Sequence, residues 1–141
     1  MLQSTNPSSQ LVIHSLRLSP GDDLKVELDK FVQEQAVDAG FIITCVGSLT
    51  HAVIRLANQE AGQTYRGFFE IVSLVGTLSR NGSHLHISVS DSSGYTVGGH
   101  LMDGCLVYTT AELVLGVLPE VIYKREPDPK SGYNELTIYP R

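Results

Sequence analysis

Three histidines within residues 82–104 are the side chains of this sequence best suited to chemistry. His84 and His86 alternate with Leu85 and Ile87 in a pattern typical of a strand, where alternate residues face the same side. The aliphatic pair predicts a core-facing side, so both imidazoles are expected on the opposite side. His-x-His spacing also arises by chance on exposed strands, and the pair alone predicts little.

A hairpin after this strand is predicted to add a third imidazole. The segment DSSGY at residues 91–95 suits a three-residue loop with Gly94 in the left-handed conformation, which places His86 opposite His100. His84, His86 and His100 then converge, and three imidazoles with an open position suit Zn²⁺ or a similar divalent ion. A two-residue loop would turn His100 to the other face, leaving three polar histidines on a surface or at a subunit interface.

Two carboxylates also lie in unusual surroundings. Glu70 and Glu112 each interrupt an apolar run, and an acid in such a run needs a partner if it is buried. One interpretation pairs them with Arg17, Arg55 or Arg66, or places them on a face between subunits. The other makes them site neighbours of the histidines, as a metal ligand or a general base.

The elements that must hold these residues are mostly strands. Apolar residues recur at helical spacing only over about residues 20–39, which follow Ser19 and Pro20, a helix-start pair, and end at Gly40. Most of the remaining sequence has strand character. We therefore predict a disordered tail over residues 1–10 and one α+β domain over residues 11–141. Its fold is a mostly antiparallel sheet or open barrel with one main helix.

Several predicted strands are apolar on both faces, which predicts contacts between subunits. Residues 41–46, 68–75 and 106–118 carry apolar side chains on both sides. One helix cannot cover both faces of a sheet, so a homo-oligomer is the expected solution.

Composition excludes several classes of protein. The chain has 141 residues, of which 42% are hydrophobic and 18% charged, and a net charge of −5. This charge disfavours direct DNA binding, and the basic pair Lys124-Arg125 is predicted to lie in a solvated loop.

No apolar run approaches the ~20 residues that span a bilayer, and the N-terminus lacks a signal-peptide pattern, so a cytoplasmic protein without membrane contact is expected. Cys45 and Cys105 are predicted to be buried free thiols.

Six linked motifs resemble the PPC domain, the "plants and prokaryotes conserved" domain that follows AT-hooks in plant nuclear proteins and stands alone in bacteria and archaea. The motifs occur in the family's order and span about residues 11–125: RLSPGDDL, VGSL, GFFEIVSLVGT, HLH, GGHL and TTAE. The resemblance implies an α+β homotrimer. His84, His86 and His100 match the family's histidine motif, which implies a metal site, with zinc as the expected ion.

The resemblance also bears on partners. Plant members contact other nuclear factors through a Gly-Arg-Phe-Glu-Ile-Leu segment, and this chain retains Gly67, Phe69, Glu70 and Ile71 of it but has Phe68 in place of the arginine. The Arg-Gly-Arg-Pro core of an AT-hook is absent from the sequence. Stand-alone members are commonly named as DNA-binding through association with their plant relatives, which is fold-level analogy.

Two functions from different classes follow. The first, which is favoured, is a homotrimeric zinc-binding module that associates with other proteins and, through them, with DNA in a regulatory role. The second is a small metal-dependent enzyme whose three-histidine site lies at a subunit boundary. The sequence contains no recognisable catalytic set, which favours the interaction module. The glycines beside the histidines leave room for a ligand, which favours the enzyme.

Overall fold

A computed structural model describes residues 6–141, which form eight strands and one helix. In chain order these are β1 (Val12–Leu18), α1 (Leu24–Glu34), β2 (Gly40–Arg55), β3 (Gln63–Leu78), β4 (His84–Ser90), β5 (Thr96–Leu101), β6 (Leu106–Val117), β7 (Val121–Pro127) and β8 (Asn134–Pro140).

Six strands form one antiparallel sheet in the order β1-β6-β2-β3-β4-β5, and β7 pairs with β8 in a separate hairpin. The sheet curls until β5 also meets the end of β2, through Ile54–Leu101 and Arg55–His100. This contact spans two residue pairs and β1 remains at an edge, so the sheet is not a clean barrel. The predicted α+β fold with a mostly antiparallel sheet is confirmed, and the barrel alternative is not.

The helix is shorter than the predicted span of residues 20–39. It begins after Asp23, whose carboxylate accepts hydrogen bonds from the backbone N–H groups of Lys25 and Val26. The residues before it form a turn in which the Asp22 N–H donates to the Ser19 carbonyl, and the Gly21 N–H donates to the Val107 carbonyl of β6. The helix ends because Ala36 takes a left-handed conformation (φ 49°). Gly40, the predicted stop, is instead the first residue of β2.

The core lies between the helix and one face of the sheet. Leu24, Leu28 and Val32 form the buried stripe of α1. They join one apolar cluster with alternate residues of the strands, among them Leu85, Ile87, Val89, Leu101 and Leu113. Burial of Leu85 and Ile87 sets the orientation of β4, because the residues that alternate with them, His84 and His86 among them, must then face outward.

The outer face of the sheet carries several exposed apolar side chains. Val46 of β2 and Val72 and Val75 of β3 are each more than half exposed. Phe68 is 63% exposed and lies against Tyr108 of β6, with ring centroids 4.9 Å apart. One side of the sheet is therefore apolar without being covered by this chain.

Strand boundaries depart from the sequence prediction at two places. Residues 41–46, predicted as a strand of their own, form part of the longer strand β2, since pairing with β6 continues through Gly47 and Ala111. The prediction of a solvated loop at Lys124-Arg125 is wrong, because both residues lie in β7 and pair with Thr137 and Leu136 of β8.

The predicted disordered tail falls in part on residues 1–5, which lie outside the described residues. Ser9 and the backbone N–H of Gln10 hydrogen-bond to the Glu120 carboxylate. Among residues 6–141, no helix has both the length and the apolar character that crossing a membrane requires.

Candidate metal centre

The β4–β5 hairpin has the register that the sequence predicts. His86 lies directly opposite His100, and Ser90 lies opposite Thr96. The three-residue loop closes with a hydrogen bond from the Asp91 N–H to the Tyr95 carbonyl, and Gly94 has φ +83°. The Asp91 carboxylate also accepts from the backbone N–H of Tyr95. This loop fixes the register and so brings His100 to the side that carries His84 and His86.

The three imidazoles form a compact cluster on the outer face. Their potential ligand nitrogens all lie within 4.8 Å of one another. The Nε2 atoms of His84 and His86 are 3.2 Å apart, and the His84 and His100 ring centroids are 5.1 Å apart. His84 and His86 are exposed and His100 is half-buried. The structure therefore brings together all three histidines that the sequence singles out.

The cluster fits a tetrahedral metal site. Zn–N bonds of about 2.0–2.1 Å place neighbouring ligand nitrogens about 3.3–3.4 Å apart. The 3.2 Å separation of the His84 and His86 nitrogens is close to that edge, and the wider separations within the cluster would close by side-chain rotation on metal binding. Three imidazoles leave a fourth position, which is typical of catalytic zinc sites and differs from the four protein ligands of structural ones.

The electrostatic surroundings keep two of the rings neutral. Burial, followed by the nearby Arg55 charge, lowers the pKa of His100 to about 4. Burial, followed by the Arg125 charge, lowers the pKa of His84, although Glu135 opposes this shift. Neutral imidazoles present the lone pairs that a metal needs, so at neutral pH protons compete little with a metal for these two rings.

An open cleft of about 670 Å³ lies beside the cluster. His84 and His100 lie in its wall with two arginines, Arg55 and Arg125. The remaining lining is polar: Asn58, Gln59, Glu60, Ser83, Tyr133, Asn134 and Glu135. A cavity of this size lies within the range of small-molecule sites.

The β7–β8 hairpin positions one wall of this cleft. Arg125 donates through Nη2 to the Thr77 hydroxyl, at 2.9 Å, and through Nε to the Gly82 carbonyl. Thr77 pairs with His84 across β3 and β4, so these hydrogen bonds hold the guanidinium near that imidazole. Sequence reasoning missed this role of Arg125. The signal that could have found it is the strand-like run of residues 121–125 before a proline- and glycine-containing turn.

The two glutamates predicted as site neighbours lie elsewhere within one chain. Glu70 pairs with Ser90, which puts it about 13 Å along β4 from His86 at ~3.3 Å per residue. Glu112 lies in β6, opposite Arg17 of β1, and strands β2 and β3 separate it from β4. Both are exposed on the outer face. The carboxylates that line the cleft are instead those of Glu60 and Glu135.

The segment that resembles the plant partner-recognition motif lies in β3. Phe69 and Ile71 are buried in the core, whereas Glu70 is exposed. Gly67 lies beside the Phe69 ring, which a Cβ at that glycine would contact at 3.5 Å. Phe68 and Glu70 are therefore the side chains of this segment that face outward.

Both cysteines are buried free thiols, as the sequence predicts. Burial raises the pKa of Cys45 and of Cys105 to about 11. The thiolate is the form that binds metals and reacts as a nucleophile, so neither cysteine is poised for such chemistry.

Comparison with known proteins identifies relatives over nearly the whole chain. A model of the Plants and Prokaryotes Conserved (PCC) domain matches residues 6–119. The bifunctional protein GlmU of Synechococcus sp. strain JA-2-3B'a(2-13) is 48% identical over 134 residues, which are 95% of this chain and 21% of that protein. The chain spans about a fifth of the length of the curated relatives it matches.

Solved structures share the fold. A hypothetical protein from Salmonella enterica is 45% identical, with a TM-score of 0.95 over 97% of this chain and 99% of that one. A protein from Archaeoglobus fulgidus, described as metal-containing, is 24% identical, with a TM-score of 0.82 over 96% and 99% of the two chains. A protein from Bacteroides thetaiotaomicron, whose name proposes DNA binding, is 22% identical, with a TM-score of 0.77 over 89% and 91%.

Proposed function

The chain belongs to the Plants and Prokaryotes Conserved domain family, which is the PPC domain of the sequence resemblance, and we propose that it is a homotrimeric zinc-binding interaction module of that family. One observation carries the proposal: His84, His86 and His100 converge on one outward-facing patch, with all ligand nitrogens within 4.8 Å. Three imidazole nitrogens that face one point are the donor arrangement that a divalent metal ion requires.

The donor set supports zinc. All three donors are imidazole nitrogens, which suit Zn²⁺ better than Mg²⁺ or Ca²⁺, whose preferred ligands are oxygens. Bound there, zinc would supply a Lewis-acid centre with one open position. The Archaeoglobus fulgidus protein, which shares the fold, is described as metal-containing. That description belongs to the other protein and supports a metal here at the level of fold.

The exposed apolar face supports the trimer. Val46, Phe68, Val72 and Val75 lie on the outer side of the sheet and are each more than half exposed. Contiguous apolar surface of this kind is typical of a subunit interface. The resemblance to the PPC domain supplies the number of copies, and the pattern of the sheet supplies the need for them.

Association with DNA through a partner protein is the third part of the proposal. A net charge of −5 opposes the phosphate contacts that dominate DNA affinity. The name of the Bacteroides thetaiotaomicron protein proposes DNA binding, and the similar region of the GlmU proteins is a fifth of a longer chain. The length of the GlmU relatives favours a module that acts beside other protein domains.

A zinc titration by calorimetry tests the proposal. We expect metal-free wild-type protein to bind Zn²⁺ and His86→Ala to lose that binding while it keeps its thermal midpoint, because His86 is exposed and outside the core. His14→Ala is the matched control, since His14 packs edge-on against Phe31 away from the cluster. Zinc binding that is equal in all three proteins would refute the site.

A metal-dependent enzyme is the second candidate, and the open cleft favours it. Glu135 lines this cleft beside His84. A carboxylate in that position would take up a proton as a general base, beside the Lewis-acid centre that a bound metal would supply. In this candidate Glu135, and no longer Glu70 or Glu112 of the same chain, would hold that proton.

Activity of the zinc-loaded protein tests the second candidate. We expect hydrolysis of activated esters or phosphoesters that is lost in Glu135→Gln although zinc remains bound. Glu126→Gln, which changes the residue paired with Glu135 across the hairpin, is the control. Activity that Glu135→Gln leaves intact would assign the chemistry elsewhere.

A further inference from the structure

We propose that the cleft beside the histidines is a binding site for the oxyanion of a small molecule, a carboxylate or phosphate, held by Arg55 and Arg125. The inference deepens the proposed function by naming a ligand class for the same site, and in part it rests on that function because a metal would lie beside the ligand. The arginine pair is a separate observation.

Both arginines lie beside the histidine cluster, in the wall of the same cleft. Arg55, at the end of β2, lies directly opposite His100 in the pairing of β2 with β5. Arg125, in the separate β7–β8 hairpin, lines the same cleft beside His84. Two elements distant in the sequence therefore deliver one cation each to a single opening. A ligand between them would contact both arginines and the imidazole face.

Neither guanidinium is paired with a carboxylate. Within residues 6–141, the ion pairs of lysine and arginine side chains are made by Lys25, Arg80 and Arg141. Arg125 instead donates to a hydroxyl and a carbonyl, and Arg55 donates to the Gln59 carbonyl at 3.2 Å. These neutral acceptors orient the groups without neutralising them. Each guanidinium has five N–H donors, so donors remain for a ligand.

The cleft also contains acids, which narrow the ligand. Glu60 is exposed, and the half-buried Glu135 lies near His84. With two arginines and two glutamates the lining has no net formal charge, so a divalent ion at the histidines would make it positive. We infer a ligand with an oxyanion for the arginines and a hydroxyl or amine that donates to Glu135.

The dimensions fit a small molecule. The cleft volume of about 670 Å³ lies within the ~300–1,000 Å³ of small-ligand sites. The planar guanidinium matches carboxylate and phosphate through two parallel N–H···O bonds, which a lysine cannot reproduce.

Titration with simple anions tests the inference. Inorganic phosphate and acetate are titrated at constant ionic strength into zinc-loaded and metal-free wild type, Arg55→Gln, Arg125→Gln and Lys124→Gln, with zinc content measured in every sample. Lys124 is the matched control because it is the adjacent cation on β7, is exposed, and lies over the Tyr139 ring instead of in the cleft. We expect each arginine variant to raise the Kd roughly 10- to 100-fold, as the loss of a charged hydrogen bond implies. Lys124→Gln should leave the Kd unchanged, and the zinc content should be the same in all variants. The anion that binds more tightly identifies the ligand class.

The outcomes separate the two proposals. Zinc-loaded wild type that binds neither anion, or binds them equally in all four proteins, overturns the anion site and leaves the zinc site standing. If wild type binds phosphate but no zinc, and the arginine variants lose the phosphate, the zinc site is overturned and the anion site is supported. Arg125→Gln also removes the hydrogen bonds to Thr77 and Gly82; should it unfold, Arg125→Lys and Arg55→Gln carry the test.

Discussion

At the scale of single residues, the histidines depend on their neighbours for the protonation state that a metal requires. Burial and the Arg55 charge disfavour the imidazolium form of His100, and burial and Arg125 do the same for His84. The same arginines that form the proposed anion site therefore add to the effect of burial, which is the larger cause of both pKa shifts. If both proposals hold, these two side chains couple metal binding to anion recognition.

A proton titration of His100 checks this coupling. In metal-free protein we expect its ring resonances to titrate near pH 4, well below the ordinary value of 6.5, because the charged form is disfavoured and the proton leaves at lower pH. Arg55→Gln should move the midpoint upward. Arg66→Gln, an arginine that pairs with His51 instead, should leave it in place. A wild-type midpoint near 6.5 would contradict the account.

At the scale of elements, the β3–β4 pairing holds His84 and His86 at their positions. Gly76 lies opposite Leu85, with φ +142°, and a Cβ there would lie 2.0 Å from the His84 carbonyl oxygen. The two strands approach this closely only because residue 76 has no side chain.

Gly76→Ala should therefore damage both the fold and the site. We expect a loss of about 2–5 kcal/mol in the free energy of unfolding, from backbone strain and the forced separation of the strands. Zinc affinity should fall with it. Val26→Ala, at an exposed apolar position of the helix away from the proposed trimer face, is the control and should change stability little. Chemical denaturation measures both variants, and equal stability of Gly76→Ala and wild type would refute the strand-spacing argument.

Local patterns predict the β4–β5 hairpin, whereas long-range contacts decide the rest of the site. Alternation around His84 and the loop at Asp91 act within about 20 residues, so sequence reasoning could place His100 opposite His86. Arg125 joins the site through contacts with Thr77 and Gly82 of a distant strand and turn, which no local pattern encodes. The predicted start of the helix is wrong for a similar reason, because residues 20–21 form a turn whose Gly21 N–H bonds to β6 and the helix begins only after Asp23.

At the scale of the whole molecule, the apolar outer face and the histidine cluster lie on the same side of the sheet. Val75 pairs with His86 across β3 and β4, and residues opposed in this way share a face. In the proposed trimer a neighbouring subunit would therefore pack close to the metal site. Glu70 and Glu112, exposed on that face, remain predicted site neighbours in the assembly.

Phe68→Glu tests the trimer interface. We expect wild type to have about three times the chain mass of 15.4 kDa and the variant to dissociate, because a charge would replace an aromatic side chain in the apolar face. Val26→Glu, at an apolar helix position that is 44% exposed, should keep the assembly. Light scattering coupled to size exclusion gives the masses, and wild type that elutes as a monomer would rule out the trimer.

Metal content per chain shows whether the three histidines hold zinc. Tag-free protein would be purified without added metal and measured by elemental mass spectrometry beside His84→Ala/His86→Ala and His51→Ala. We expect near-stoichiometric zinc in wild type and in His51→Ala, whose ring hydrogen-bonds to Thr50 and lies outside the cluster, and its loss in the double variant. No metal in any of the three proteins, or equal zinc in all of them, would contradict this expectation.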